Sequence, residues 1–224
     1  MDIDQMSNEN LNERAYRILL DRIVTIDYEP GTLLNEVSLV SDLGISRTPI
    51  HSACIRLARE NLVDFIFKKG FRVTEIDAQS IRDIHDIRDL IEPYAIHTAG
   101  RQLDKSRLMN YLEVFRNERS PRSLLYETDT LMHQDFVKQT GNRLLIDYYQ
   151  SMQSHFARIS NICGKRDKNR VYESNHEHVE LLEALLVDDI EGAEIALKKH
   201  LKLSRTAAYN LLILNNKRLS ASSV

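Results

Sequence analysis

The sequence predicts a mainly α-helical protein: an N-terminal winged helix-turn-helix, with three helices and a β-hairpin wing, followed by an all-helical bundle. Two observations predict this fold class. Within residues 35–75, two helical segments joined at a glycine precede two strand-like runs. From Asp77 onward, one helical pattern follows another. At 224 residues the chain is long enough to form both domains.

The helix-turn-helix follows a helix predicted over residues 11–26. A short helix that begins near Val37 ends at Gly44, because glycine readily adopts the left-handed conformation of a helix end. Ser46 is expected to cap the next helix, whose apolar residues recur at helical spacing. In such a motif the N-terminal residues of the second helix contact base edges in the DNA major groove.

The wing is predicted from two strand-like runs, residues 62–67 and 71–75, joined by Lys68, Lys69 and Gly70. The chain carries a net charge of −3. Residues 46–72 nevertheless hold six basic and two acidic residues, whereas residues 1–45 hold three basic and nine acidic residues. Positive charge is therefore concentrated in the segment that would meet DNA phosphates.

This segment resembles the winged helix-turn-helix of the GntR family of bacterial transcriptional regulators. The resemblance covers residues 10–75 and lies in LGISRTP (43–49), RLARENLV (56–63) and KGFRV (69–73). It implies a DNA-binding surface formed by Ser46, Arg47, Thr48, His51, Lys68, Lys69 and Gly70. The family commonly has arginine at the position of His51, so an altered operator is expected. Arg56 and Arg59 are either DNA contacts or solvated surface residues.

The predicted boundaries divide the chain into four parts. These are a mobile N-terminus (1–9), the winged domain (10–76), a helical ligand-binding domain (77–215) and a polar tail (216–224). Gly164 is one of the residues expected to interrupt the helices. The polar N-terminus and the lack of any long apolar run favour a cytoplasmic protein that does not enter a membrane.

Four residues of the helical domain form a candidate metal site. At 100° per residue, Asp129 and His133 share the inward face of one helix. His178 and His200 each lie on the apolar face of a later helix. Because buried polar groups need partners, one divalent ion shared by all four is a plausible arrangement. A metal-free, hydrogen-bonded core is the alternative.

The same segments resemble the FCD ligand-binding domain of the fatty-acid-regulator subgroup of GntR proteins. The residues that carry the resemblance are DTLMH (129–133), Gly141-Asn142, HVELLEAL (178–185) and His200. It implies a divalent metal ion such as zinc, nickel or manganese, held by Asp129, His133, His178 and His200. It also implies that Arg88 grips a small carboxylate effector beside the metal. The alternative for Arg88 is an ion pair with Glu92 at i+4.

Taken together, the resemblances imply a homodimeric, ligand-responsive repressor that binds a near-palindromic operator in double-stranded DNA. No catalytic residue is predicted, and the protein is not expected to be an enzyme. Two other classes remain open: a winged-helix docking protein and a metal-dependent enzyme. Sequence-selective DNA binding would separate the regulator from the first, and metal-dependent turnover would identify the second.

Overall fold

The computed structural model describes residues 10–221, with side chains described as far as Leu212. The chain divides into two compact units after Ile76. The predicted mobile segment, residues 1–9, lies outside the described residues. Within residues 10–221, no helix combines the length and apolar character needed to cross a membrane.

The first unit contains three helices and a small antiparallel sheet. Its elements are α1 (Leu11–Val24), β1 (Leu33–Leu34), α2 (Glu36–Leu43), α3 (Arg47–Arg59), β2 (Val63–Ile66) and β3 (Gly70–Val73). The strand order is β1-β3-β2, with Leu34 and Phe65 both opposite Phe71. The predicted hairpin is therefore present. The additional strand β1 was not predicted, because two residues are too few to show an alternating pattern.

Local capping explains where α2 begins and ends. The Asn35 side chain accepts hydrogen bonds from the backbone N–H groups of Val37 and Ser38. Gly44 ends α2 in the left-handed conformation, with φ of 64°. Ser46 occupies the N-cap position of α3, but its side chain makes no capping hydrogen bond, so that part of the prediction is wrong. The position is exposed, and water can satisfy the first N–H groups of the helix.

The second unit is entirely helical. Its elements are α4 (Ala78–Ala99), a 3₁₀ turn (Gly100–Gln102), α5 (Lys105–Arg116), α6 (Arg122–Lys138), α7 (Arg143–Arg166), α8 (Lys168–Leu186) and α9 (Ile190–Ala221). Helix α9 packs against α4, α7 and α8, while α6 packs against α4, α5 and α7. These contacts place parts of α4, α6, α8 and α9 around one interior. The predicted fold class, a winged helix-turn-helix and a helical bundle, is confirmed.

Two predicted helix ends differ from the structure. Helix α7 continues through Gly164 to Arg166, because one glycine inside a long packed helix costs only about 1 kcal/mol. Helix α9 extends to Ala221, so the predicted polar tail, residues 216–224, begins within a helix. Residues 222–224 lie outside the described residues.

Candidate metal centre and nucleic-acid interface

Four candidate ligands from three helices converge inside the helical unit. Asp129 and His133 lie one turn apart on α6, His178 lies on α8 and His200 lies on α9. One ligand atom from each side chain lies within 4.8 Å of those of the other three. The Nε2 atoms of His133 and His178 lie 3.3 and 3.1 Å from the same oxygen, Oδ1 of Asp129. The structure thus brings together all four residues that the sequence indicated.

Three of the four candidate ligands have buried donor atoms without hydrogen-bond partners in the described part of the chain. Among the described residues, nothing hydrogen-bonds with good geometry to Nε2 of His133, Nε2 of His178 or Oδ1 of Asp129. An unpaired buried polar group costs about 1–3 kcal/mol. Ligand atoms bound about 2.1 Å from one ion are roughly 3–4 Å apart, a spacing that small side-chain rotations would reach. The residues therefore fit a divalent ion.

Glu92 on α4 lies at ion-pair distance from His133, without the angles of a hydrogen bond. Its Oε2 lies 2.7 Å from His133 Nδ1, while Oε1 accepts hydrogen bonds from Arg88 Nε at 2.5 Å and Tyr149 Oη at 2.7 Å. A carboxylate at Nδ1 favours the tautomer whose Nε2 carries a free lone pair. Burial alone would raise the pKa of Glu92, but Arg88 and His133 outweigh it and hold that pKa well below the usual range. Arg88 thus forms the ion pair considered as the alternative to effector binding.

Glu177 on α8 positions His200 through a hydrogen bond. Its Oε2 lies 2.8 Å from His200 Nδ1, which directs Nε2 of that ring away from Glu177. Arg170 donates two hydrogen bonds to the Glu177 carboxylate, at 2.8 and 2.9 Å, and both side chains are buried. Two arginine–glutamate pairs therefore support two of the three histidines. The sequence analysis identified neither Glu177 nor Arg170, although their i, i+7 spacing on α8 was a visible signal.

Metal binding needs neutral imidazoles and an ionised carboxylate, and the pKa shifts of three of the four candidate ligands favour these states. Burial opposes ionisation of Asp129, yet His178 and His133 hold its pKa well below the usual value. Burial lowers the pKa of His178 and lowers that of His200 further, because two other histidines are close to it. Burial would also lower the pKa of His133, but the charge of Glu92 raises it above the usual value. A metal ion must therefore compete with a proton only at His133.

Two small cavities flank the cluster. One, of about 40 Å³, is lined by Arg88, Asp129, Arg170, His178 and His200 among others. The other, of about 20 Å³, also reaches Arg88 and Asp129. The larger cavity has room for roughly three water molecules, so only a small molecule fits beside the cluster.

The predicted DNA-binding residues lie together on one face of the first unit. Ser46, Arg47, Thr48, His51, Lys68 and Lys69 are exposed, and Gly70 is partly exposed. All of them except Ser46 line a groove of about 600 Å³ between the start of α3 and the turn that joins β2 to β3. Lys68 and Gly70 both have positive φ, 62° and 97°, which gives that turn its tight path. The start of α3 and the turn between β2 and β3 therefore lie beside the same groove.

Glu36, which the sequence analysis did not identify, also lines this groove and joins two of its basic residues. Its Oε2 accepts a hydrogen bond from Arg47 Nε at 2.8 Å, and its Oε1 lies 2.5 Å from His51 Nδ1. Burial would raise the pKa of Glu36, but His51 and Arg47 together lower it. An acidic residue at the start of a helix is ordinarily explained by the helix dipole, so nothing in the sequence pattern distinguishes Glu36.

Arg56 contacts other residues of the first unit. It forms ion pairs with Glu13 and Glu60, and its guanidinium lies 3.4 Å from the centre of the Tyr16 ring. Arg59 is exposed. Of the two readings given for Arg56, this geometry favours a structural surface residue over a DNA contact.

Replacing Glu36 with glutamine is expected to raise the affinity for random-sequence DNA about threefold to tenfold at moderate salt. The change removes a negative charge from the groove that is predicted to meet phosphates, and it loosens the contacts that hold Arg47 and His51. Discrimination between an operator and random DNA should therefore fall. Fluorescence anisotropy with both duplexes measures the two affinities.

Glu13→Gln is the matched control for this prediction. Glu13 also pairs with an arginine, Arg56, but does not line the groove. The control should leave both affinities within about twofold of the parent protein. If Glu36→Gln behaves like Glu13→Gln, Glu36 has no role in DNA recognition.

A winged helix-turn-helix together with a helical unit that contains a buried four-ligand centre defines a class of protein, a DNA-binding transcriptional regulator. Residues 11–73 match the family model of bacterial regulatory proteins of the gntR family, and residues 83–203 match that of the FCD domain. The chain belongs to the GntR family of regulators that carry an FCD domain. The matching families and relatives are transcriptional regulators and not enzymes. Membership of the fatty-acid-regulator subgroup stays a prediction.

Three relatives illustrate this similarity. The transcriptional repressor RspR of Escherichia coli K12 is 25% identical over 206 residues, which span 86% of each chain. The structure of E. coli McbR/YncC has a TM-score of 0.77 at 20% identity and covers 91% of this chain and 99% of its own. The Zn²⁺-bound FCD domain of TM0439 has a TM-score of 0.52 at 26% identity and covers 61% of this chain and 97% of its own.

Proposed function

We propose that this regulator senses a small carboxylate through a divalent metal ion held by Asp129, His133, His178 and His200. The observation that carries the proposal is the convergence of four ligand atoms, of which those of Asp129, His133 and His178 are buried without a hydrogen-bond partner among the described residues. The Zn²⁺-bound state of the related FCD domain of TM0439 supports it. Imidazole and carboxylate donors suit zinc, nickel and manganese, and zinc is the first ion to test.

The residues around the metal would have separate tasks in sensing. When bound, the metal supplies a positive charge that attracts a carboxylate oxygen. Glu177 would hold His200 in the ligating orientation by its hydrogen bond, and the charge of Glu92 beside Nδ1 of His133 would favour the tautomer that ligates through Nε2. Arg88 lines both cavities and has five N–H donors, of which the contacts with Glu92 use two, so it can also donate to an effector.

The DNA-binding part of the proposal is a homodimer on a near-palindromic operator. Two copies of the winged unit would read two half-sites, with Arg47, Thr48 and His51 at the base edges and Lys68 and Lys69 at the adjacent backbone. Imidazole makes fewer simultaneous hydrogen bonds than guanidinium, so His51 would give a different base preference from arginine. Repression is the proposed outcome, since the relative RspR is a repressor.

Selection from a random pool of duplex DNA tests this function. The purified protein is used at about 150 mM salt, which suppresses purely electrostatic binding. The expected result is an enriched two-fold-symmetric motif, whose affinity changes when zinc and a small carboxylate are added together. Absence of an enriched motif, both with zinc and with a chelator, would favour a docking protein over a DNA-binding repressor.

Arg47→Ala is expected to weaken binding to the selected operator by about 1–3 kcal/mol and to relax the preference at one base pair of each half-site. Arg47 lies at the start of α3, and 75% of its side chain is exposed in the groove. Titration of the operator and of single-base variants measures both effects. Arg82→Ala removes an exposed arginine from the helical unit and serves as the control. Equal affinities of the two variants for the operator would contradict the role given to Arg47.

A further inference from the structure

Two apolar side chains are exposed in the groove that the predicted DNA-binding residues line. Val37 on α2 is 70% exposed, and Phe65 on β2 is 60% exposed. Scattered apolar residues are ordinary on a protein surface, but these two border the same groove as Arg47 and His51. Contact of apolar side chains with water is unfavourable, so a partner that covers them with apolar groups of its own is bound more tightly.

Helix stability does not explain why residue 37 is a valine. Val37 lies in the first turn of α2, where its backbone N–H donates a hydrogen bond to the Asn35 side chain at 2.9 Å. Only the backbone of residue 37 takes part in that bond, so many other residues could make it. At an exposed helical position, a β-branched side chain is also less favourable than alanine. The two methyl groups of Val37 therefore contribute little to the folding of this unit.

The contacts of the preceding residue join Val37 to the residues that are proposed to contact bases. Glu36 accepts a hydrogen bond from Arg47 Nε at 2.8 Å and lies 2.5 Å from His51 Nδ1. These contacts link the start of α2 to the first turns of α3. A valine in a helix has one strongly preferred side-chain rotamer, so its methyl groups keep one direction. An apolar surface of fixed orientation therefore borders the groove together with Arg47.

Phe65 belongs to the wing. It is opposite Phe71 on β3, and the two rings meet edge to face with their centroids 5.5 Å apart. Its strand leads into the turn that contains Lys68 and Lys69, which the proposed function places at the DNA backbone. That position suits contact with a deoxyribose, which carries no sequence information, more than contact with a base edge.

We propose that Val37 contacts the methyl group of a thymine in each half-site of the operator. In the major groove the base edges present hydrogen-bond donors and acceptors, and the 5-methyl group of thymine is the apolar group among them. Val37 would favour thymine by apolar contact, while Arg47 would select another base of the same half-site by hydrogen bonds. This inference rests on the proposed DNA-binding function and adds a residue that determines its specificity.

The test replaces each thymine of the selected operator in turn with deoxyuridine, which lacks the methyl group but keeps the pairing groups. Fluorescence anisotropy with the full-length protein measures the affinity for each duplex. At one thymine of each half-site, the replacement is expected to weaken binding about fourfold, the effect of exposing one methyl-sized group. In Val37→Ala the same replacement should change the affinity less than about twofold, because the apolar contact is already lost. Val187→Ala, which alters an exposed valine at the end of α8, should keep the parental response.

The failure of this inference can be told apart from the failure of the proposed function. If the random pool yields no two-fold-symmetric motif, the proposed function itself is wrong. A motif that contains no thymine, or that tolerates deoxyuridine at every position, overturns the thymine contact. An equal loss of affinity in the parent and in Val37→Ala overturns the role of Val37. If that loss disappears in Phe65→Ala instead, the methyl group is contacted by the wing, which also contradicts the assignment to Val37.

Discussion

Replacing His133 with alanine is expected to abolish high-affinity binding of divalent metal. The change removes one of four ligands, and it also removes the ring whose Nδ1 lies beside Glu92. Zinc content after dialysis, measured by mass spectrometry, should fall from about one ion per chain to background. Metal stabilises the folded state by about 2.7 kcal/mol when its concentration is 100 times the dissociation constant. The thermal unfolding of the parent should therefore respond to a chelator, while that of the variant should not.

His176→Ala is the matched control for the metal prediction. His176 lies on the same helix as His178 but is exposed and contacts the ring of Tyr172. This substitution removes one histidine from the protein but leaves the four candidate metal ligands unchanged. The control should keep both its zinc and its response to chelator. Zinc retained by His133→Ala at the parental level would show that the ion binds elsewhere.

Helical periodicity was enough to select the four candidate ligands, because inward direction on a helix depends only on spacing along that helix. Asp129 and His133 share a face by their i, i+4 separation, and His178 and His200 lie on apolar stripes of their own. The structure brings these four side chains together. The fold class was predictable for a similar reason, since capping residues, glycine turns and apolar stripes are local signals.

The residues around the ligands could not be predicted in the same way. The sequence showed Glu92 as a possible partner of Arg88 at i+4. Its contact with His133, however, joins residues on two different helices that are 41 positions apart in the sequence. Such a contact depends on how α4 and α6 are rotated against each other, which periodicity does not determine. Glu36 was missed because its partners lie across the turn of the helix-turn-helix. The prediction for Gly164 was wrong because a glycine inside a packed helix, where a Cβ atom would meet the Tyr126 hydroxyl at 1.9 Å, and a glycine that ends a helix look alike in a sequence.

Glu92→Gln is expected to destabilise the helical unit by about 3–5 kcal/mol, because the carboxylate is fully buried and compensates a buried arginine. The amide keeps one acceptor for Tyr149 or His133, but it removes the negative charge that balances Arg88 and directs an N–H group toward donors. Urea unfolding with chelator present, followed by the helical signal in circular dichroism, measures the loss without any contribution from metal.

Glu194→Gln shows what the same chemical change does when the pair is on the surface. Glu194 also pairs with a basic residue at i+4, Lys198, but that lysine side chain is 59% exposed. Solvent screens such a pair, so the change should cost less than about 1 kcal/mol. The difference between the two variants measures how much more a buried carboxylate with several partners contributes than an exposed one in an i, i+4 pair. Equal, small losses would mean that Arg88 finds another partner when Glu92 loses its charge. Arg88 would then be free to pair with a bound carboxylate as well, which links the stability of this ion pair directly to effector binding.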